Sequence, residues 1–220
     1  AFNDRAIERG DRPIVTVCSG RPQPFAEAMC RLLGNSVHPC VCENGAWVYH
    51  PGTNRYDLDP SITPAHLEAC RALSAWARER FAANGVTEQP GKSASVTLYH
   101  PDTAFLTREV FPAVRAAFDV SAGGAFAVTM TWHYINCDLA HVNKGTGLDR
   151  MLAPLRLDRR RLAGIGDTPG DVHIARRVAF FACPANAHPS IREHAHYVSP
   201  HAEARGVLDI LERLADGGAA

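Results

Sequence analysis

Apolar positions recur at two different spacings along this chain, and the spacings divide it into three stretches. In the first, "AFNDRAIERGDRP" reads as the end of a helix feeding a strand, and "PIVTVCS" (13–19) is that strand, a short β-branched run stopped by "GRP". "PFAEAMCRLLG" (24–34) carries apolar residues at helical spacing and stops on Gly34. "PCVCENGAWVYH" (39–50) predicts strand, Asn-Gly turn, strand.

The last stretch follows the same rule. "LAGIGD" (162–167) is a short buried strand followed by a helix through "DVHIARR", and "VAFFAC" (178–183) is a further strand. "NAHPSIREHA" (186–195) starts a helix, "HYVS" (196–199) is a strand, and "AEARGVLDILERLA" (202–215) is an amphipathic helix before a tail, "DGGAA", expected to fray. Strands alternating with helices predict an α/β fold with a parallel sheet, whose ligands bind outside the carboxyl ends of its strands.

The middle stretch differs. "PAHLEACRALSAWARERFAANG" (64–85) is a long helix, "KSASVTLYH" (92–100) a strand and "REVFPAVRAAF" (108–118) another helix. "FAVTMTWHYINCDLA" (126–140) supplies strand residues with a polar break near Asn136. These read as a small α+β unit, residues 47–140, inserted into a sheet domain made of 1–46 and 141–220. The segment "WHYINCD" (132–138) lies in or beside that unit, either as plain sheet surface or where it could touch a substrate.

Composition narrows the function classes. The 220 residues, 46% apolar and 21% charged, suit one domain with an insertion. Lys plus Arg equals Asp plus Glu at 23 each, so no net field draws the chain to nucleic acid or an anionic membrane. No apolar run approaches a membrane span, and no signal-peptide pattern opens the chain. The seven cysteines are odd in number and scattered through apolar stretches, which predicts reduced, buried thiols in a cytoplasmic protein. The "CVC" thiols lack a second pair for zinc, and the histidines of "HAHY" (194–197) and "HVNK" lack a matching cluster.

Three polar groups fall at strand ends. Ser19, Gly20 and Arg21 end the first strand, Asp167 and Asp171 follow the 162–167 strand, and Lys144 stands at a predicted helix start. A hydroxyl, a helix N-terminus and an ammonium make an anion cradle. Two carboxylates suit Mg²⁺, and the set together describes phosphoryl transfer. Each also has an ordinary reading: Ser-Gly as a turn, Lys144 as a surface residue, and Gly-Asp-Thr-Pro as a helix start capped by Asp167.

Five segments in order, "VTVCSGRP", "CENGAWVY", "VNKGTGLDRML", "GIGDTPGD" and "CPANAHPSIREHAHYVS", resemble the haloacid dehalogenase superfamily of phosphatases. The likeness is to the branch with a large cap between the second and third motifs. That branch includes Cof-type sugar phosphatases, sucrose-phosphate phosphatase and mannosyl-3-phosphoglycerate phosphatase. The resemblance implies a Rossmann-like core with a parallel sheet and an inserted α+β cap. It implies Mg²⁺-dependent hydrolysis of a small phosphorylated metabolite, such as a sugar phosphate or phosphoglycerate derivative, through an aspartyl phosphate. By the same resemblance Ser19 bonds the phosphoryl group, Lys144 neutralises it, Asp167 holds Mg²⁺, and Asp171 is a second ligand or the partner behind one. Gly20, Arg21, Glu43 and Asn44 match substrate-binding positions at the rim, and Asn186 matches the late "NA" pair. Gly170 stands where asparagine is common in this branch.

One departure is large. The family's nucleophile is the first aspartate of an Asp-x-Asp motif on the central strand. Only Asp4 and Asp11 precede Ser19, and neither follows an apolar strand. The expectation is therefore that the central strand and its nucleophile lie outside this chain through N-terminal truncation. The alternatives are a non-catalytic phosphate-binding protein that begins at Ala1, and a phosphomutase of the same superfamily.

Overall fold

The structure, a computed structural model, describes residues 2–217; Ala1 and the tail residues 218–220 lie outside the described residues. Helix α1 (Phe2–Arg9) ends at Gly10, whose φ of 62° breaks the helical path. The segment 13–19 is extended, but instead of the expected full strand it makes one parallel bridge, Cys18 to Val41. The reason is a shortage of partners. Ser19 N–H and Val17 C=O bond Val41 (both 2.9 Å), and the Asn3 side chain bonds both backbone groups of Val15 (2.7 and 2.8 Å). No described residue bonds the backbone of Thr16 or Cys18.

Helix α2 (Gln23–Leu33) starts at Pro22-Gln23-Pro24 and closes on Gly34, left-handed at φ 73°. Strands β1 (Cys40–Cys42), β2 (Trp47–His50) and β3 (Arg55–Leu58) form an antiparallel sheet, with β1 and β2 joined by a tight turn at Glu43–Gly45. The expected boundary at residue 47 falls inside this sheet, because Cys42 pairs with Trp47 and Trp47 with Leu58.

Helix α3 (Pro64–Phe81), capped by Thr63, leads into β4 (Thr87–Glu88) and β5 (Ser95–Tyr99). A helical run follows: α4 (Thr103–Phe105), a π-type stretch (Leu106–Val110) and α5 (Phe111–Phe118). Pro112 has no N–H to give the carbonyl one turn back, and the helix widens just before it. Strands β6 (Phe126–Thr131) and β7 (Tyr134–Leu139) complete an antiparallel sheet of order β4-β5-β7-β6. The break expected near Asn136 lies instead at Trp132-His133, where Trp132 takes a φ of 48°; Asn136 is in the middle of β7. Alternation in β5, β6 and β7 sends Val96, Leu98, Val128, Ile135 and Cys137 to one face, against Leu73, Val110 and Val114 of the helices. That apolar layer is the larger core.

The chain then returns through α6 (Lys144–Leu152), β8 (Ala163–Ile165), α7 (Val172–Ala175), β9 (Phe180–Cys183), α8 (Pro189–Arg192), β10 (Tyr197–Val198) and α9 (Glu203–Ala215). The three strands form the predicted parallel sheet, order β10-β9-β8. Helices α7 and α8 are single turns, shorter than expected; after α8 the sheet claims the chain early, since His196 N–H already bonds Phe181 C=O at 2.8 Å. A second core of Val41, Leu148, Met151, Ile174, Phe181 and Ile191 ties α6 and β9 to β1. All seven cysteines are free, and Cys18 alone of them is not buried.

Candidate active site

Two turns are stitched together by their backbones. Asn44 N–H bonds Ser19 C=O (3.1 Å), Glu43 N–H bonds Arg21 C=O (2.9 Å), and Arg21 N–H bonds the Ser19 hydroxyl (3.1 Å). A Cβ on Gly20 would stand 2.7 Å from Asn44 Oδ1, so a larger residue would have to displace the Asn44 amide. Glu43 and Asn44 both adopt positive φ, 45° and 52°, an arrangement held by what their side chains reach. Glu43 accepts Ser93 N–H (3.1 Å), Ala94 N–H (2.9 Å) and the Ser95 hydroxyl (3.2 Å), and Asn44 Nδ2 donates to Asp138 (2.9 Å). Burial pushes the Glu43 carboxyl above its ordinary value, against the pull of the Ala94 and Ser93 amides.

Lys144 opens α6, and Asn143 caps it by accepting Gly145 N–H (2.9 Å) and Thr146 N–H (3.2 Å). Close approach of this helix to the Glu43–Gly45 turn needs glycine, because a Cβ on Gly45 would meet Asn143 O at 2.1 Å. Lys144 Nζ donates to Asp171 Oδ1 at 2.5 Å, with side chains only 13% and 4% exposed. The other oxygen, Asp171 Oδ2, accepts Asp167 N–H (3.0 Å), Thr168 N–H (2.9 Å) and the Thr168 hydroxyl (2.9 Å). Burial works to raise the Asp171 carboxyl, but the Lys144 charge and these donors outweigh it and hold it below the usual range. Burial works to lower Lys144, and Asp171 more than compensates, so the ammonium is held above its usual range. The Cys18 thiol lies beside this pair, pushed up to about 12 chiefly by burial.

Asp167 is half-buried, and no other described residue donates to its carboxylate. Burial, then the neighbouring charge of Asp171, pushes its carboxyl up, while Lys144 opposes them. A bound cation would relieve both effects. Mg²⁺ takes one or two carboxylates with water and phosphate oxygens, so Asp167 fits it by type. Asp171 Oδ1 accepts from Lys144 and Oδ2 from the turn donors, so in this structure Asp171 supports Lys144. Among the described residues no group of three His, Cys, Asp or Glu side chains is gathered for a metal.

The predicted residues fall into two clusters and one outlier. Ser19, Gly20, Arg21, Glu43 and Asn44 make the stitched turns; Lys144, Asp167 and Asp171 make the charged cluster, joined to those turns where Gly45 packs on Asn143, the cap of α6. Asn186 stands further along, exchanging hydrogen bonds with Glu203 (2.7 and 2.8 Å) and lining, with Asp167, a depression of about 260 Å³. Arg21 is exposed, with its guanidinium 5.5 Å from the Tyr134 ring and 5.9 Å from Phe25. Sequence reasoning missed Lys92 and the partners of Glu43, and it left Asp138 inside a segment of open role. The signal was present in the alternation of β5 and β7, whose second face is polar.

The site thus sets a buried lysine on a strand-end carboxylate, near a Ser-Gly-Arg turn, in an α/β fold with a parallel sheet. A family model of haloacid dehalogenase-like hydrolases matches residues 98–211, more than half of the chain, and the protein belongs to that family. It is 27% identical over 217 residues to a phosphoglycolate phosphatase of Archaeoglobus fulgidus, covering 97% of this chain and 89% of that protein. A 77-residue match to a phosphoglycolate phosphatase of Methanothrix thermoacetophila is 36% identical and spans 35% of either chain. A crystal structure from Thermoplasma acidophilum superposes with a TM-score of 0.72 at 16% identity, covering 97% of this chain and 88% of that one. The sucrose-phosphatase of a Synechocystis species superposes with a TM-score of 0.66 at 15% identity, covering 97% and 89%.

Proposed function

We propose that this chain carries the phosphate-binding and lysine-bearing part of a Mg²⁺-dependent phosphomonoester hydrolase acting on a small phosphorylated metabolite in the cytoplasm. The observation that carries the reading is the buried Lys144–Asp171 pair, at the start of a helix that packs on the turn bonded to Ser19. Asp171 takes one N–H of the ammonium and leaves two for phosphoryl oxygens. The Ser19 oxygen accepts the Arg21 amide, so its own O–H is free to donate to the same group. Asp167 would hold the Mg²⁺, which when bound supplies further neutralisation of phosphoryl charge. Residues 59–140 would cover the site, exclude water and select the leaving group.

In this reading the nucleophile is an aspartate outside the chain, on a strand between segment 13–19 and β8, which would form and release an aspartyl phosphate. Two features support the place: the unbonded backbone at Thr16 and Cys18, and β8 at the edge of its sheet. Phosphoglycolate and sucrose phosphate, named in the relatives, are both small phosphomonoesters. A second reading, phosphate binding without turnover, is favoured by the lack of any aspartate on segment 13–19 or β8.

Calorimetric titration of the chain with orthophosphate in Mg²⁺ tests the site. Lys144→Met should weaken binding about tenfold or more. Equal affinity in the variant, or none in the parent chain, would overturn the assignment. Orthophosphate release from a phosphomonoester separates hydrolysis from binding, and a phosphorylated acceptor in the product would identify a phosphomutase.

A further inference from the structure

The second face of the four-stranded sheet is polar and is turned toward the stitched turns. Ser95, Thr97 and Tyr99 of β5 share it with their partners Asp138, Asn136 and Tyr134 of β7. Lys92 enters from the loop before β5 and donates to Thr97 Oγ1 (2.6 Å), which donates to Asn136 Oδ1 (3.1 Å). Ser95 and Thr97 are buried on this face.

Two groups on this face are unfinished. Asp138 Oδ2 is held by Asn44, but Oδ1 is shielded from water and has no hydrogen-bond partner among the described residues. A buried acceptor without a donor is costly, and native folds rarely leave one without a purpose. Lys92 uses one of its three N–H groups, and no described carboxylate lies within ion-pair distance of it. Lys92 faces the charges of Asp138 and Glu43 and, after them, Arg21, while Glu43 is committed to the Ser93, Ala94 and Ser95 donors and Asp138 Oδ2 to Asn44. Two neighbouring cations thus lack a bonded anion beside an acceptor that lacks a donor.

We propose that Lys92, Arg21 and Asp138 form the leaving-group subsite, and that it takes a short hydroxy acid, its carboxylate between the two cations and a free hydroxyl donating to Asp138 Oδ1. This rests on the phosphomonoesterase reading and narrows it. Phosphoglycolate supplies the carboxylate but no free hydroxyl, whereas a phosphoglycerate supplies both.

The test is calorimetry of the chain in Mg²⁺ with orthophosphate, phosphoglycolate and phosphoglycerate. Phosphoglycerate should bind tightest and orthophosphate weakest. Lys92→Met should reduce the affinity ratio of phosphoglycolate to orthophosphate about tenfold, and Lys92→Arg should restore it. In Asp138→Asn the amide oxygen stays with Asn44 and an N–H₂ group meets the hydroxyl. The ratio of phosphoglycerate to phosphoglycolate should then fall by about the same factor. Orthophosphate binding by each variant shows that it is folded. If orthophosphate binds and these ratios do not move, or if phosphoglycolate outranks phosphoglycerate, the subsite is refuted while the phosphatase reading stands. If the parent chain does not bind orthophosphate, both fall.

Discussion

The inserted sheet and the parallel sheet handle their backbones in opposite ways. In the insert, β5 and β7 are paired on both sides, and their apolar face meets α3 and α5 in one continuous layer. Among the described residues β8 of the parallel sheet pairs only with β9, and segment 13–19 makes a single bridge, to β1. The first region is held by area and ladder; the second converges on one buried ion pair. A region organised by burial tolerates local change in proportion to the volume lost. One organised by a buried charge fails when that charge loses its partner.

The largest effects should expose this contrast. Asp171→Ala strands the Lys144 ammonium and several turn donors, and should cost about 3–5 kcal/mol in urea unfolding. The double replacement of Lys144 by Met and Asp171 by Leu should recover most of that stability while abolishing phosphate binding. A single replacement costing under about 1 kcal/mol would mean that water already reaches the pair. Phe126→Ala opens the insert core and should cost a similar about 3–5 kcal/mol. Its signature differs: Trp76 emission should change first, because Phe126 packs on Phe118 and Phe118 on Trp76 (ring centroids 6.4 and 5.1 Å).

Glu43 joins the two regions. Glu43→Ala leaves the Ser93 and Ala94 amides without their acceptor, for about 1–3 kcal/mol, read as faster hydrogen exchange at Ala94. Unchanged exchange would show that the insert holds that loop unaided.

The pair also sets a pH window. The Asp171 carboxyl is held low, so its contribution is complete above the unfolded value of about 3.9 and is lost as pH falls through the folded one. Lys144 is held high, so its contribution is complete below about 10.4 and is lost as pH rises through its folded value. Melting temperature should therefore form a plateau between those limits and fall on both sides.

Asp167 has the opposite sign: its carboxyl is raised, so ionisation at neutral pH opposes folding. Asp167→Asn should stabilise the metal-free chain by less than about 1 kcal/mol, the smallest effect here, and should remove any stabilisation by added Mg²⁺. Loss of stability in that variant without Mg²⁺ would show a structural role instead.

Much of this was legible beforehand because it is written in local chemistry. Ser19-Gly20, the Asn143-Lys144 helix start and the Gly166-Asp167-Thr168 turn are each specified by a few adjacent residues whose backbone demands are strong. The true extent of segment 13–19 was not legible, because its apolar, β-branched residues suit a strand whether or not partners exist. The turn at Trp132-His133 was missed for a related reason. Neither residue is a usual turn former, and the polar Asn136 drew attention to what is an interior strand position, bonded to Thr97 and Thr131.

By itself, then, the sequence determined the α/β class and where the strands of the parallel sheet fall along the chain. Periodicity and turn chemistry are local and survive in one dimension. Only the tertiary structure decided what Asp171 does. Residues 27 apart meet when α6 docks on the β8 turn, and that meeting pairs the Asp171 carboxylate with Lys144. It also set Asp138 beside Asn44, 94 residues away, with one oxygen left open. Long-range packing assigns such roles, because a carboxylate's function depends on which donors reach it.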